Sequence, residues 1–336
     1  MRLIRCIVAL GMCAAGGAQA KDAKPLFQSA DVIRLTFKGN VNAASVAPRP
    51  GTITVGAETL PITFTERGIT RRRSEICPFA PLRVTFTQPP GETSPFHKQK
   101  KLKLVTHCRS SADFQQFVLL EYAAYKMFNR LTPVSFGARL AMIDYVGDNG
   151  KPITSRYGFF IEDTDDMAKR NGMKEPKTAD RVPVSVLNPE FSGRYAMFQH
   201  MLGNHDWSMR AGPEGEGCCH NGKLIGPVPG STQYAPVPYD FDFSGFVGTP
   251  YASPPEQVPI DDVRERYYRG YCAHNAQAMQ AAAAMRAARG DLLATLAAIP
   301  GLESRPKERA TSYLERFFAD IATDESVRAK VLKNCL

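Results

Sequence analysis

The first half of the chain contains short runs rich in β-branched and aromatic residues, some of them strictly alternating with polar residues, that predict β-strands. The runs lie at 32–37, 60–64, 82–86, 101–105, 138–145 and 157–162. Gly, Pro and Asn separate the earliest of them, which is typical of a small antiparallel sheet. In the run at 101–105 the alternation places Lys101, Lys103 and Val105 on one side, so Lys103 is expected to face inward.

Apolar residues recur at helical spacing elsewhere. A helix is predicted for residues 110–130 with Ser110 as its N-cap, and a second stripe at 191–202 stops at Gly203. Asn204-His205-Asp206-Trp207 must then lie in the loop beyond that helix. The tail contains an Ala-rich helix at 276–288 and an amphipathic helix near 310–321. A β-rich part with one helix followed by a mostly helical part predicts two lobes with a cleft.

The first twenty residues have the layout of a secretory signal. Arg2 and Arg5 precede a short apolar run, and Ala18-Gln19-Ala20 supplies small residues for cleavage after Ala20. A buried N-terminal helix is the alternative. No other segment approaches the ~18 apolar residues of a transmembrane helix. We therefore expect an exported chain, periplasmic or extracellular, that is soluble and has no transmembrane segment once the signal is removed.

Cysteine content and charge extend this view. Six cysteines remain after the signal, at 77, 108, 218, 219, 272 and 335, and an even number in an oxidising compartment predicts disulfides. Cys77 and Cys108 flank the strands around Lys103 and are expected to be joined. For Cys218 and Cys219, the alternative to a disulfide is a metal cluster together with His220. The formal charge is +9, and suits a phosphate-bearing ligand, an acidic partner or an anionic membrane surface. No nucleic-acid partner is expected.

Glu121 stands in the middle of the apolar stripe of the helix predicted for 110–130. A carboxylate that faces a core needs a partner, and Lys103 on the preceding strand is the candidate. A lysine on a strand paired with a glutamate on the next helix is how protein kinases hold nucleotide phosphates. The alternatives are a structural ion pair, or a Glu121 at the rim of the apolar face.

Three further groups offer chemistry. Asp240 and Asp242 alternate with aromatic residues in a predicted strand that would place both carboxylates on one face, about 6.6 to 7 Å apart, where they could hold a divalent ion. Asp206 suits a general base or an orienter of a hydroxyl, unless it is only a turn aspartate. The basic segment 67–73, with Arg67 and Arg71, can bind phosphates, although such runs are commonly solvated loops.

Together these segments resemble the spore-coat protein H (CotH) family of atypical secreted kinases. The matching positions are 67–73, 101–104, Glu121, 159–162, 204–207 and 238–242. The resemblance implies a two-lobed kinase-like fold, with Asp206 in the catalytic-loop role, Asp240 in the metal-binding role, and Mg²⁺ (or Mn²⁺) and ATP as cofactors. Protein kinases place a metal-binding Asn five residues after the catalytic Asp, where this chain has Ala211; Asn221 is the next candidate.

The sequence therefore predicts an α+β, two-lobed, protein-kinase-like fold, with a signal peptide at 1–20, a β-rich N-lobe at 21–165 and a mostly helical C-lobe at 166–336. The predicted function is transfer of the γ-phosphoryl group of ATP to a hydroxyl of a protein acceptor in the envelope. The site residues are Asp206 for catalysis; Lys103, Glu121, Arg67, Arg71 and Glu162 for the nucleotide; and Asp240, Asp242 and Asn221 for the metal. The alternatives are a metal-dependent glycosyltransferase that uses a nucleotide sugar, and a non-catalytic, pseudokinase-like binding module.

Overall fold

The structure is a computed structural model that describes residues 22–41 and 47–336. The predicted signal peptide, residues 1–20, lies outside the described residues. The strands are β1 (Ile33–Gly39), β2 (Arg49–Val55), β3 (Glu58–Glu66), β4 (Leu82–Phe86), β5 (Lys101–Val105), β6 (Ala138–Val146), β7 (Pro152–Ile161), β8 (Gly222–Ile225) and β9 (Ala235–Pro238). The helices are α1 (Phe114–Leu131), α2 (Thr164–Arg170), α3 (Pro189–Leu202), α4 (Asn275–Ala287), α5 (Arg289–Ala297), α6 (Ser304–Asp320) and α7 (Asp324–Ser326).

Within the described residues, β1 to β7 form a closed barrel in the order β1-β2-β3-β4-β5-β7-β6. Most neighbours are antiparallel, but β1 pairs with β6 in parallel, from Ile33 opposite Ala141 to Lys38 opposite Val146. Alternate residues of each strand point inward and fill the barrel, as the period of two requires. Phe37 and Phe64 meet there edge to face, with ring centroids 5.1 Å apart.

The prediction of a two-lobed protein-kinase-like fold is wrong, because the β-rich half closes into this mixed barrel. The runs of β-forming residues predict a small antiparallel sheet. The pairing that closes it joins β1 to β6, whose partners lie about a hundred positions apart, and no local pattern specifies such a contact. The division near residue 165 stays a prediction.

A second hydrophobic core lies outside the barrel. Helix α1 packs on β7 and on α5, and α3 packs on α4. The core is continuous from the outer face of the barrel, at Val105, Phe159 and Ile161, through α1 and α3 to the C-terminal helices. The helical part and the barrel therefore share one packed interface, while the barrel interior is a separate cluster.

Several segments differ in detail from the predictions. Helix α1 begins at Phe114, with Asp113 rather than Ser110 as its N-cap. Helix α3 ends at Leu202, and Gly203 adopts the left-handed conformation with φ of 57°, as the stop at this glycine predicts. The strand predicted through 239–243 is wrong: β9 ends at Pro238, and Asp240 has φ of 64°.

Three disulfides connect the six cysteines. Cys77 is joined to Cys108, which confirms the predicted pair. Cys218 is joined to its neighbour Cys219, and Cys272 to Cys335. Three disulfides fit an oxidising compartment. Among the described residues, every helix is too short or too polar to cross a bilayer.

Candidate functional site

A cavity of about 480 Å³ opens where the loop after β3, strand β5, the loop after α3 and the segment after β9 meet. Its lining is dominated by charged side chains. The basic ones include Arg67, Arg71, Arg83, Lys101, Lys103 and Lys223. Carboxylates of Asp206, Asp240 and Asp242 border the same space. A cavity with both signs of charge suits a ligand that carries phosphates and a cation together.

Three carboxylates converge beside this cavity. Ligand oxygens of Glu121, Asp240 and Asp242 all lie within 4.8 Å of one another. The guanidinium of Arg71 stands between them: Nη1 is 3.3 Å from Glu121 Oε2, Nε is 3.2 Å from Asp242 Oδ2, and Nη2 hydrogen-bonds Asp240 Oδ1. Arg71, and not Lys103, is therefore the partner of Glu121.

The local fold holds each member of this acidic cluster in place. Glu121 projects from the buried face of α1 and is only 2% exposed. One turn later, the Tyr125 hydroxyl accepts the backbone N–H of Asp240 at 2.9 Å, which fixes the left-handed turn that follows β9. The Tyr251 hydroxyl donates to Asp242 Oδ2 at 3.0 Å. Asp240 and Asp242 reach the same centre through a turn instead of a strand.

Burial and mutual repulsion control the protonation of the acidic cluster. Burial raises the pKa of Glu121 to about 7, against the opposing effect of Arg71. Burial also raises the pKa of Asp242 well above its usual range, and the neighbouring Asp240 and Glu121 add to that shift. For Asp240 burial acts in the same direction, but Arg71 and Arg67 outweigh it and the pKa is lowered. One guanidinium does not neutralise three ionised carboxylates, so Glu121 and Asp242 hold protons more tightly than free carboxyl groups do.

The acidic cluster fits a divalent cation. Hard cations such as Mg²⁺ and Mn²⁺ take carboxylate oxygens as ligands. Among the described residues, the second oxygen of Glu121, Oε1, is buried and has no hydrogen-bond partner. A buried acceptor without a donor is costly, and a cation would satisfy it. Glu121, Asp240 and Asp242 are the residues that would hold the metal.

Lys103 lines the cavity among other cations. Its Nζ is 4.5 Å from the centroid of the Tyr239 ring and 5.7 Å from that of Phe136. Burial, then repulsion from Arg67 and Lys223, lowers its pKa to about 7. Basic side chains whose mutual repulsion lowers the pKa of one of them are typical of an anion-binding site, because a bound phosphate relieves that repulsion.

Asp206 forms a separate constellation on the cavity wall. His220 Nε2 is 2.7 Å from its Oδ1, and Asn221 Nδ2 donates to its Oδ2 at 2.9 Å and to its backbone oxygen at 2.7 Å. The hydrogen bond to Asp206 raises the pKa of His220, although burial opposes it. A carboxylate held by two side chains and facing a cavity can orient a hydroxyl and accept its proton.

Two loops bring this constellation together. Gly203 turns the chain sharply after α3, and the Trp207 indole anchors the turn by donating to the Asn204 oxygen at 2.8 Å. The facing loop carries the Cys218–Cys219 disulfide immediately before His220, whose N–H donates to the Ala211 oxygen at 2.8 Å. Position 211 thus supplies a backbone contact, and Asn221 supplies the amide beside Asp206.

Most of the predicted site residues gather around this cavity. Its lining includes Arg67, Arg71, Lys103, Asp206, Asn221, Asp240 and Asp242, with Glu121 directly behind Arg71. Glu162 lies elsewhere: its buried carboxylate accepts from the Gly137 N–H at 2.8 Å and from Arg170 Nε at 2.9 Å. The sequence reasoning missed His220 and Lys223 as site residues, although both flank Asn221 and that proximity was a usable signal.

Comparison with known proteins adds little. No protein-family model matches the chain, and no curated protein matches it. Among solved structures it is similar to a Helicobacter pylori proinflammatory kinase, CtkA, with 9% identity over 83% of this chain and 92% of that chain and a TM-score of 0.40. Similarity at this level carries no argument about function, so the interpretation rests on the site, and the resemblance to spore-coat protein H stays a prediction.

Proposed function

We propose that this protein is a metal-dependent phosphotransferase that moves the γ-phosphoryl group of ATP to a hydroxyl of a protein acceptor in the envelope. One observation carries the proposal. A single cavity joins the acidic cluster of Glu121, Asp240 and Asp242 to a group of cations and to the Asp206 constellation. Phosphoryl transfer needs these three elements, because the protein's task is positioning and electrostatic stabilisation.

The cations would bind the phosphates. Arg67 and Lys223 stand close enough to Lys103 to add to the effect of burial in lowering its pKa, so a polyphosphate placed among the three would be attracted by all of them. A divalent ion bound at the acidic cluster would supply neutralisation of the charge that develops on the transferred group. These assignments place the phosphates between Lys103 and the acidic cluster.

Asp206 would orient the acceptor. In the transfer, the acceptor oxygen forms a bond to the γ-phosphorus while the bond from that phosphorus to the bridging oxygen breaks, and ADP leaves with the electron pair. The hydroxyl proton passes to Asp206. Asn221 keeps the carboxylate turned towards the cavity, and His220 balances its charge.

Two variants test the assignment, because they should fail in different ways. Asp240→Asn removes a ligand charge, so stabilisation by Mg²⁺ and an ATP analogue should weaken or vanish. Asp206→Asn should keep that stabilisation, about 2.7 kcal/mol at a ligand concentration 100 times Kd, and should lose transfer by orders of magnitude. Asp165→Asn makes the same chemical change at an exposed position on α2 and should behave like the parent.

The readouts are thermal unfolding for binding and mass spectrometry of labelled products for transfer. Full activity in Asp206→Asn, or unchanged metal-nucleotide binding in Asp240→Asn, would show that these roles are wrong. Transfer or hydrolysis of a nucleotide sugar in place of ATP would identify a glycosyltransferase. Binding without any turnover would identify a binding module.

A further inference from the structure

The guanidinium of Arg71 occupies the place between the three carboxylates that a cation would need. Each of its three nitrogens faces a different carboxylate of the acidic cluster. The side chain is only 7% exposed, so this is an enclosed contact and not a surface ion pair. The pKa of Arg71 is raised well above its usual range, because Asp242, Asp240 and Glu121 outweigh the effect of burial.

We propose that Arg71 and a divalent cation exclude each other from Glu121, Asp240 and Asp242, so that the protein binds metal only when a polyphosphate draws Arg71 out of the cluster. The inference rests on the proposed function for the identity of the polyphosphate. The exclusion itself follows from geometry and charge. Metal ligands stand about 2.0 to 2.6 Å from a hard cation, and a guanidinium in the same space leaves no room for that shell.

Repulsion makes the exclusion stronger than steric fit alone. A divalent ion beside a buried guanidinium would face a like charge in a medium of low effective dielectric. The carboxylates cannot serve both cations with the same oxygens, because Arg71 already takes one oxygen from each. Among the described residues, Glu121 Oε1 is buried without a hydrogen-bond partner, so Arg71 leaves one carboxylate oxygen of the acidic cluster without a donor. A divalent cation that coordinated this oxygen would gain an interaction that Arg71 does not make.

The position of Arg71 allows its side chain to leave the acidic cluster. It lies in a short 3-10 turn, Thr70–Arg72, in the loop between β3 and β4, and it also borders the cavity. A long side chain that reaches from the cavity wall can turn towards phosphates by a change of rotamer, and the guanidinium fork matches phosphate as well as carboxylate. Phosphates bound near Arg67 and Lys103 would offer Arg71 that second partner.

The test is Mn²⁺ binding to the full chain without nucleotide, measured by the electron paramagnetic resonance of free Mn²⁺. Arg71→Met removes the competing charge and keeps much of the side-chain volume, so it should bind one Mn²⁺ at least tenfold more tightly than the parent. Arg73→Met is the matched control, because Arg73 carries the same charge two residues away but is 62% exposed and pairs with the surface residue Glu75. It should bind Mn²⁺ as the parent does.

Further variants locate the gained ion. Adding Glu121→Gln to Arg71→Met should abolish the gain, since it removes a ligand charge from the acidic cluster. Should Arg71→Met fail to fold, Arg71→Lys replaces it; one ammonium reaches fewer of the carboxylates, so Mn²⁺ should still bind at least threefold more tightly than in the parent. Parent-like affinity in the folded variant, or an equal gain in Arg73→Met, overturns the inference.

Nucleotide separates the two proposals. With a non-hydrolysable ATP analogue, the parent should gain Mn²⁺ affinity and approach Arg71→Met. If the parent binds the analogue with Mn²⁺ but Arg71→Met shows no gain without it, the exclusion is wrong and the proposed function stands. If Arg71→Met gains Mn²⁺ while neither protein binds the analogue, the mutual exclusion stands, but its release by a polyphosphate and the proposed function both fail.

Discussion

Among single residues, Lys103 is the cation whose charge depends most on its surroundings. Its pKa of about 7 results from burial and from repulsion by Arg67 and Lys223, so most Lys103 side chains are neutral at pH 8. A bound polyphosphate opposes both effects by supplying negative charge, and the lysine then takes up a proton. Lys103 therefore becomes positively charged only when the phosphates bind.

This behaviour gives a prediction for binding. At pH 8, binding of an ATP analogue with Mg²⁺ should take up about one proton more in the parent than in Lys103→Met, because the folded free protein holds Lys103 neutral and the complex holds it charged, while any proton that Glu121 or Asp242 releases to the metal is common to both proteins. Calorimetry in two buffers of different ionisation enthalpy measures the uptake. Lys101→Met should keep the extra proton, since Lys101 is half exposed and pairs with Asp163 at 3.4 Å. Equal uptake in parent and Lys103→Met would contradict the prediction.

His220 gives a prediction for stability. Its pKa is raised in the folded state by Asp206, so its contribution is present below the unfolded value of about 6.5 and is lost as pH rises through the folded value. His220→Gln should therefore reduce the free energy of unfolding more at pH 6 than at pH 9. The difference should be no more than about 1 kcal/mol, because the side chain is 38% exposed and solvent screens the pair.

Urea denaturation at the two pH values measures this difference. His97→Gln is the control, because the His97 ring meets the Gly91 backbone oxygen instead of a carboxylate. A loss that is equal at both pH values in His220→Gln would mean that the ring contributes packing and not charge.

Glu121 shows how far the sequence leads at this scale. Its position in an apolar helical stripe predicts correctly that it is buried and needs a partner. The pattern predicts Lys103 as that partner, because Lys103 lies on a regular strand whose alternation can be extrapolated. The actual partner, Arg71, comes from a loop, and the path of a loop follows from tertiary contacts that periodicity does not describe.

Among the elements, the end of α3 determines where Asp206 stands. Gly203 has φ of 57°, and a Cβ placed on it would meet the Tyr313 hydroxyl at 2.0 Å. Gly203→Ala should therefore lower the free energy of unfolding by about 2 to 4 kcal/mol, from left-handed strain together with overpacking. Gly290→Ala, at an exposed position in α5 with open space around it, should instead raise it by about 0.5 to 1 kcal/mol. Chemical denaturation of both variants tests the pair, and a loss below 1 kcal/mol in Gly203→Ala would contradict the argument.

Regular elements follow from periodicity and irregular ones do not. The strand at 101–105 and the helix at 276–288 were predicted within a residue, because alternation and helical spacing are local. The pattern Tyr-Asp-Phe-Asp-Phe at 239–243 also alternates, yet Tyr125 takes the N–H of Asp240 and the chain turns. The Tyr125 hydroxyl, on a helix more than a hundred residues earlier in the chain, stabilises the left-handed conformation of Asp240.

Across the whole molecule, the Cys77–Cys108 disulfide ties the far end of the Arg71 loop to the segment after β5. It closes a loop with a sequence separation of 31. The double variant Cys77→Ser/Cys108→Ser should lower the free energy of unfolding by about 3 to 4 kcal/mol in the chain-entropy model. Denaturation under non-reducing conditions measures the loss, and a change below 1 kcal/mol would show that the link constrains little of the unfolded chain.

The separation of the two hydrophobic clusters has a consequence for cooperativity. The barrel interior and the helical core are distinct, so each can open with its own free energy. The cavity takes one wall from each, with Arg67 and Lys103 from the barrel and Asp206 and Asp240 from the helical part. A ligand that contacts both walls binds only when the barrel and the helical part are both closed. Its binding free energy therefore adds to the free energy that is needed to open either part. Filling the site therefore couples the opening of the barrel interior more tightly to that of the helical core, with which the barrel already shares a packed interface.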